Sequence, residues 1–276
     1  MDVASKLILN ADVTRGVLVG FVRRELQRFG FRKAVLNLSG GVDSSLSCFL
    51  AAEAMGPDNV LVLLLPYRTS TADSAEHAAQ VVALTGVHSK TFDITPMVEP
   101  YFAQHPEISD VRRGNVMARM RMIVLYDHSV VWNGLPIGTS NKTELLLGYG
   151  TLFGDMACAI NPLGDLYKTQ VRQMARALGV PEAIVQKPPS ADLWVGQTDE
   201  GELGFTYAEV DKLLYLLVDE RFSPEEAVAA GFDAQFVATV LRRVQAYQFK
   251  RMQPIIAKVS RRDVGHDFLY PRDWGT

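Results

Sequence analysis

Between Leu36 and Leu46 the chain reads LNLSGGVDSSL. Gly40 and Gly41, the carboxylate of Asp43 and the hydroxyls of Ser39, Ser44 and Ser45 crowd into one short stretch. Adjacent glycines permit positive φ and close backbone approach. Joined to the amides of a following helix N-terminus, they form a concave anion site that suits a phosphate. The serine hydroxyls add donors. Asp43 works against an anion, and two readings resolve the conflict. It is a helix N-cap, worth about 1 kcal/mol, or it holds Mg²⁺, which bridges carboxylate and phosphate oxygens and turns repulsion into attraction. A cap alone does not account for two glycines and three serines. The stretch has no lysine where a Walker A loop needs one, and it is not G-x-G-x-x-G.

The elements around it must place it at a sheet edge. KAVLNL (33–38) and NVLVLLLP (59–66) are short apolar runs bounded by turn residues, as expected of strands buried on both faces of a parallel sheet. SKTFDI (89–94) is a weaker third strand, and GLPIGTS (134–140) a short fourth. Helical spacing covers 13–29, 43–55, 71–84, 115–130 and 168–178, several ending at a glycine. No strand pattern follows Pro181; 207–218, 224–230 and 234–252 read as helices. The alternation predicts an α/β, doubly wound, mostly parallel sheet with right-handed crossovers and a helical C-terminal extension. One domain spans 1–276: an N-terminal helix within 1–30, an α/β core at 31–180 and C-terminal helices at 206–257. In such sheets ligands bind beyond the carboxyl ends of the strands, so Asn37, Leu38 and the loop 39–44 are expected at the site. The segment 190–205 is acidic, glycine-bearing and long for a loop, and carries Trp194; it is expected to be a mobile lid.

Composition narrows the partners. The net charge of -3 and 21% charged residues give no basic excess for nucleic acid. No apolar run is long enough to span a bilayer, and the start shows no signal-peptide pattern, so a soluble cytoplasmic protein is expected. Cys48 and Cys158 are the only cysteines, which excludes a disulfide framework and a four-cysteine zinc site. Cys48 is expected to be a buried small hydrophobe. His77, His88, His105, His128 and His266 are scattered without metal-type spacing and are read as surface or structural.

S-G-G-x-D-S after a strand and before a helix resembles the PP-loop of the ATP pyrophosphatase superfamily, whose members split ATP into AMP and pyrophosphate while adenylating a substrate. The block PIGTSNKTELLLGYGTLFGDMACAINPLGDLYKTQVRQMARALGVP (136–181), with GNVMARMRM (114–122) and KPPSADLWVGQTDEGELGF (187–205), closely resembles the ammonia-dependent NAD+ synthetases. That resemblance implies a Rossmann-like, adenine nucleotide alpha-hydrolase-like fold. It also implies an adenylation–amidation reaction in which deamido-NAD+, ATP and ammonia give NAD+, AMP and pyrophosphate.

Residue by residue, the resemblance implies that Asn37, Leu38, Ser39, Gly40, Gly41, Val42, Asp43 and Ser44 bind ATP, with Thr139, Lys168 and Ser190. Asp43 and Glu144 are its Mg²⁺ ligands; these two and Lys168 are the catalytic set. Read without it, Glu144 is first-turn dipole compensation and Lys168 an exposed lysine at a helix start. Arg119 matches an arginine on deamido-NAD+, with Arg121 as its local competitor. Lys250 matches a second such contact, and Asp155 stands between a polar contact and a loop cap. The chain departs from the family's best-known pattern, which has lysine, aspartate and histidine where Leu152, Ala159 and Phe249 stand. GYGTLFGDMACAINP points to a second branch of the family.

The stretch before Lys33 is too short for a fused amidase domain, so free ammonia is the expected donor; a separate glutaminase partner is left open. The family forms homodimers. Val116, Met117, Met120, Met122, Ile123, Val124, Leu125 and Tyr126 make 115–130 apolar nearly all round, which places that helix near the expected interface.

Overall fold

The computed structural model describes residues 2–190, 193–194, 196–252 and 254–262. The strands are β1 (Ala34–Asn37), β2 (Val60–Leu64), β3 (His88–Thr91) and β4 (Leu135–Pro136). They form one parallel sheet in the order β3-β2-β1-β4. Before and between them run α1 (Val3–Lys6), α2 (Ala11–Arg28), α3 (Val42–Met55), α4 (Ala72–Thr85), α5 (Thr95–Ala103) and α6 (Asp110–Trp132). After β4 come α7 (Lys142–Leu147), α8 (Lys168–Ala177), α9 (Glu182–Gln186), α10 (Asp199–Leu203), α11 (Tyr207–Leu214), α12 (Pro224–Ala229) and α13 (Ala234–Ala246).

Alternation along the strands builds two of three apolar cores. Ala34, Leu36, Val60 and Val62 point to the face covered by α2, α3, α4 and α8. Val35, Leu61 and Leu63 point to the other, covered by α5 and α6. Each buried Val or Leu among them contributes about 1.5–3 kcal/mol, so neither face of the inner strands tolerates a charge. A third core joins Leu147 of α7 and Tyr167 to α11, α12 and α13. The C-terminal helices therefore pack on the elements that carry Glu144 and Lys168.

Several predicted boundaries move for local reasons. β3 stops at Thr91 because Asp93 turns to accept the amide of Thr95 at 2.8 Å and starts α5. β4 pairs only through Pro136, followed by a single bridge from Ile137 to Ile160. The helix predicted over 234–252 ends at Ala246 and continues as a 3₁₀ turn, Gln248–Arg251. There Lys250 and Arg251 reach carbonyls of Leu146, Gly148 and Gly150, bonds that a continuous helix would forgo. The short helices α5, α9 and α10 were not expected; α10 lies inside the predicted lid. Among the described residues, no strand follows Pro181 and no helix is long and apolar enough to cross a membrane.

Candidate active site

The order β3-β2-β1-β4 makes the chain leave β1 toward β2 on one side, while β4 sits on the other. The crevice at that reversal lies between the ends of β1 and β4, where open α/β sheets bind ligands. Asn37 ends β1 with a buried side-chain oxygen that has no partner. The Leu38 amide donates to the carbonyl of Leu63 and fixes the exit direction. The chain then turns at Gly40, whose φ is +81. A Cβ there would lie 2.2 Å from the carbonyl oxygen of Ser74 in α4, so the turn requires glycine for conformation and for space. Gly41 is the N-cap of α3, with Val42 its first, buried residue. Ser39 Oγ lies 3.0 Å from Ser44 Oγ, and Ser44 and Ser45 donate to the carbonyl of Gly41 at 3.1 and 2.8 Å. The serines thus brace the turn as well as supply donors.

The opposite wall comes from β4. Gly138 donates to Ile160 and accepts from Ser47 of α3, and Asn161 holds the carbonyl of Ser140. Thr139 is held half-buried between them, past the end of the strand rather than within it. Asn141 and Glu144 then open α7 as a capping box, each side chain bonding the other's amide.

The two walls meet at Lys168. Its ammonium donates to Asp43 at 2.5 Å and to Glu144 at 3.1 Å, while Asn141 donates to the other Asp43 oxygen at 2.8 Å. Lys168 is 3% exposed, which corrects its reading as an exposed helix-start lysine. The reason is tertiary: the C-terminal helices cover the start of α8, and the Tyr207 ring lies 5.1 Å from the ammonium. Burial disfavours the Lys168 charge, but Asp43 and Glu144 outweigh it and raise the pKa. Burial raises that of Glu144, Asp43 adds to the rise, and Lys168 opposes it. Glu144 is thus a capping-box residue and a member of the charged cluster together.

Sequence reasoning missed three supporting residues. Asn141 is fully buried, and N-x-x-E before an apolar run was its readable signal. Asp199 of α10 accepts from Tyr149 and Tyr207 at 3.0 Å each, which ties the predicted lid to the cluster. The Asp199 amide bonds the carbonyl of Pro189, closing that segment at its base. Asp211 accepts from Thr143 at 2.6 Å and from the Thr169 amide at 2.8 Å, clamping α7 to α8. Ser190, a predicted ATP contact, is exposed.

Arg119, Asp155 and Lys250 do not join this cluster. They gather on the loop after α7. Lys250 donates to the carbonyls of Gly148 and Gly150 at 2.8 Å, Asp155 accepts the Thr151 amide at 2.7 Å, and Arg119 donates to the Leu152 carbonyl at 3.1 Å. Asp155 thus caps this loop through one carboxylate oxygen. Arg121, the competitor of Arg119, is turned inward onto the carbonyl of Leu65. Leu152 and Phe249, two of the departures, line an apolar cavity of about 430 Å³ with Phe153, Met252, Pro254 and Ile255; Ala159 is exposed. Cys48 is buried, as expected. His266 lies outside the described residues.

A sequence model of NAD synthase matches residues 15–254. The chain belongs to the NAD synthase family. An NH(3)-dependent NAD(+) synthetase of Trichlorobacter lovleyi is 57% identical over 271 residues, 98% of this chain and 99% of that one. An NH3-dependent NAD synthetase of Campylobacter jejuni, solved with nitrate ion, is 32% identical with a TM-score of 0.78 over 91% of this chain and 100% of that one. An NMN synthetase of Francisella tularensis is 30% identical, with a TM-score of 0.80 over 91% and 99%. As an NAD synthase family member, the chain carries the SGGVDS turn and the Asp43–Lys168–Glu144 cluster at the crevice of its sheet.

Proposed function

We propose that this protein is a C–N ligase that amidates deamido-NAD+ with ammonia at the expense of ATP, giving NAD+, AMP and pyrophosphate. The observation that carries the reading is the meeting of Lys168 with Asp43 and Glu144 beside the Gly40–Gly41 turn, in a chain 57% identical over nearly its whole length to an NH(3)-dependent synthetase. A nicotinate carboxylate is anionic and resists an amine nucleophile. Its attack on the α-phosphorus of ATP removes that charge and creates a leaving group. Ammonia then attacks the acyl carbon and AMP departs.

The chain's own residues serve these steps in distinct ways. The amides of Gly40 and Gly41 and the N-terminus of α3 receive the phosphates, with Ser39 and Ser44 as hydroxyl donors. Lys168 stabilises charge that develops on the departing pyrophosphate. The unpartnered oxygen of Asn37 offers an acceptor to the nucleoside, and half-buried Thr139 and exposed Ser190 are the further hydroxyl contacts for ATP. Asp43 and Glu144 fit Mg²⁺: their hard oxygens already converge on one cation, the ammonium of Lys168, and this metal takes few protein carboxylates plus phosphate oxygens. Bound there, it would neutralise phosphate charge. Arg119 and Lys250 supply cationic groups for the dinucleotide beside the 430 Å³ apolar cavity.

α6 buries Met117, Val124 and Leu125 but leaves Ile123, Val130 and Val131 exposed by 54%, 80% and 72%. We read that outer face as one side of a symmetric dimer; sedimentation showing only monomer at micromolar concentration would remove this reading. We infer a cytoplasmic location, where ATP is supplied. The decisive experiment is the product set from ATP, ammonium and either deamido-NAD+ or nicotinate mononucleotide, with and without Mg²⁺. AMP, pyrophosphate and NAD+ from the dinucleotide support the assignment. ADP and phosphate, or preference for the mononucleotide, overturn it.

A further inference from the structure

Lys168 is paired with Asp43 and Glu144, the two carboxylates also offered to Mg²⁺. A triphosphate brings several negative charges to the Gly40–Gly41 turn, and a further cation stands beside that turn. Gly40 packs so closely on α4 that an added Cβ would lie 2.2 Å from the carbonyl oxygen of Ser74. The Oγ of that same Ser74 accepts from Lys187 Nζ at 2.9 Å. One residue thus separates the Lys187 ammonium from the turn.

The placement of this lysine is otherwise unfavourable. Ser74 lies in the first turn of α4, the positive end of that helix, where a cation is repelled. Lys187 is half-buried and makes no ion pair among the described residues. Asp73, the first-turn acid of α4, is exposed and does not pair with it. Pro188 and Pro189 follow, restricting the backbone that aims the side chain. An ammonium held without a counter-ion, where the N-termini of α3 and α4 converge on one glycine, is matched by an arriving anion.

We propose that Lys187 is a second phosphate-binding cation of this site, reaching the turn by way of Ser74. It takes the β- and γ-phosphates of ATP and then the pyrophosphate. An ammonium has three N–H donors; Ser74 uses one, and the others serve phosphate oxygens as charge-assisted bonds. When the α-phosphorus–oxygen bond breaks, its electron pair stays on the bridging oxygen of the pyrophosphate, and this is the charge assigned to Lys187. This assignment rests on the ATP reading above.

The test is calorimetric titration of pyrophosphate with Mg²⁺, and separately of AMP, into the full-length wild type, K187A, K187Q and K187R. Loss of a charge-assisted contact should weaken pyrophosphate binding about tenfold or more in K187A and K187Q. AMP binding should stay within about twofold, and K187R should recover most of the loss. Pyrophosphate affinity unchanged in K187A overturns the assignment. So does equal weakening for AMP, which would mark a general collapse of the site. Wild-type protein that binds AMP but no pyrophosphate overturns the phosphate reading of the turn itself, and Lys187 with it.

Discussion

Replacing Lys168 by Met should make the protein bind Mg²⁺ more tightly and work far less well. The Lys168 ammonium lies 2.5 Å from Asp43 and 3.1 Å from Glu144, on the same oxygens offered to the metal. Met keeps most of the aliphatic volume and removes the charge, leaving two carboxylates against each other. Breaking a buried pair costs about 3–5 kcal/mol. Asp43 and Glu144 keep 17% and 15% side-chain exposure, which favours the lower end of that range. At about 2–4 °C per kcal/mol for a chain of this size, melting should fall by roughly 6–12 °C without metal. Mg²⁺ should restore more stability to the variant than to wild type, because no ammonium competes, and its affinity should rise about tenfold or more. Adenylation should nevertheless fall about 10²–10³-fold, as for other lost transition-state donors. The assays are calorimetric Mg²⁺ titration and single-turnover AMP release at a temperature where both proteins are folded. Equal or weaker Mg²⁺ binding, or AMP release within a few-fold of wild type, refutes the shared-oxygen argument.

Gly40→Ala forces a left-handed residue, costing about 1–2 kcal/mol, and drives its Cβ into Ser74; ATP affinity should collapse, and wild-type affinity would show that the turn is not the phosphate site. Asn141→Ala removes a cap worth about 1 kcal/mol and the bond that orients Asp43, so turnover should drop more than stability; the reverse order, by kinetics and melting, would make Asn141 a cap only. Burial pushes the Cys48 thiol up to about 12 and Cys158 up to about 11, against about 8.5 when unfolded. Both should resist alkylation at pH 8 until the protein is denatured. Because the unfolded thiols ionise first, stability should decline as pH rises above about 8.5; rapid labelling of native protein would contradict the burial argument. Val130→Glu on the exposed face of α6 should produce monomers in sedimentation; an unchanged species would separate that face from assembly.

Much of the fold was legible because its signals are local. The runs 33–38 and 59–66 are apolar at every inward position of both faces, which only a covered parallel sheet requires. Gly30 and Gly86 take positive φ where the helices before them end. The SGG turn declared itself through glycines that a plain hairpin or helix start would not need. Less legible were elements whose limits are set by partners distant in sequence. β4 is two residues long because the chain must swing out to carry Asn141 toward Asp43. The last helix breaks at Tyr247 because Lys250 and Arg251 find carbonyls on the α7 side.

Lys168 shows why the site was harder to read than the fold. Residue type and helix position make a lysine at a helix start look solvated, and nothing in DLYKT contradicts that. Its burial comes from Tyr207, about forty positions later, and from Asp43, far earlier in the chain. A buried ammonium is tolerable only where carboxylates meet it, so Asp43 and Glu144 each explain the other two members of the trio, and no one of them is interpretable alone. Asp199 extends the same logic: it accepts from Tyr207, whose ring lies 5.1 Å from the Lys168 ammonium, and its amide bonds the carbonyl of Pro189. The bond between Asp199 and Pro189 therefore lies one phenol away from Lys168, and the buried ammonium depends on residues far apart in the chain, Asp43, Glu144 and Tyr207.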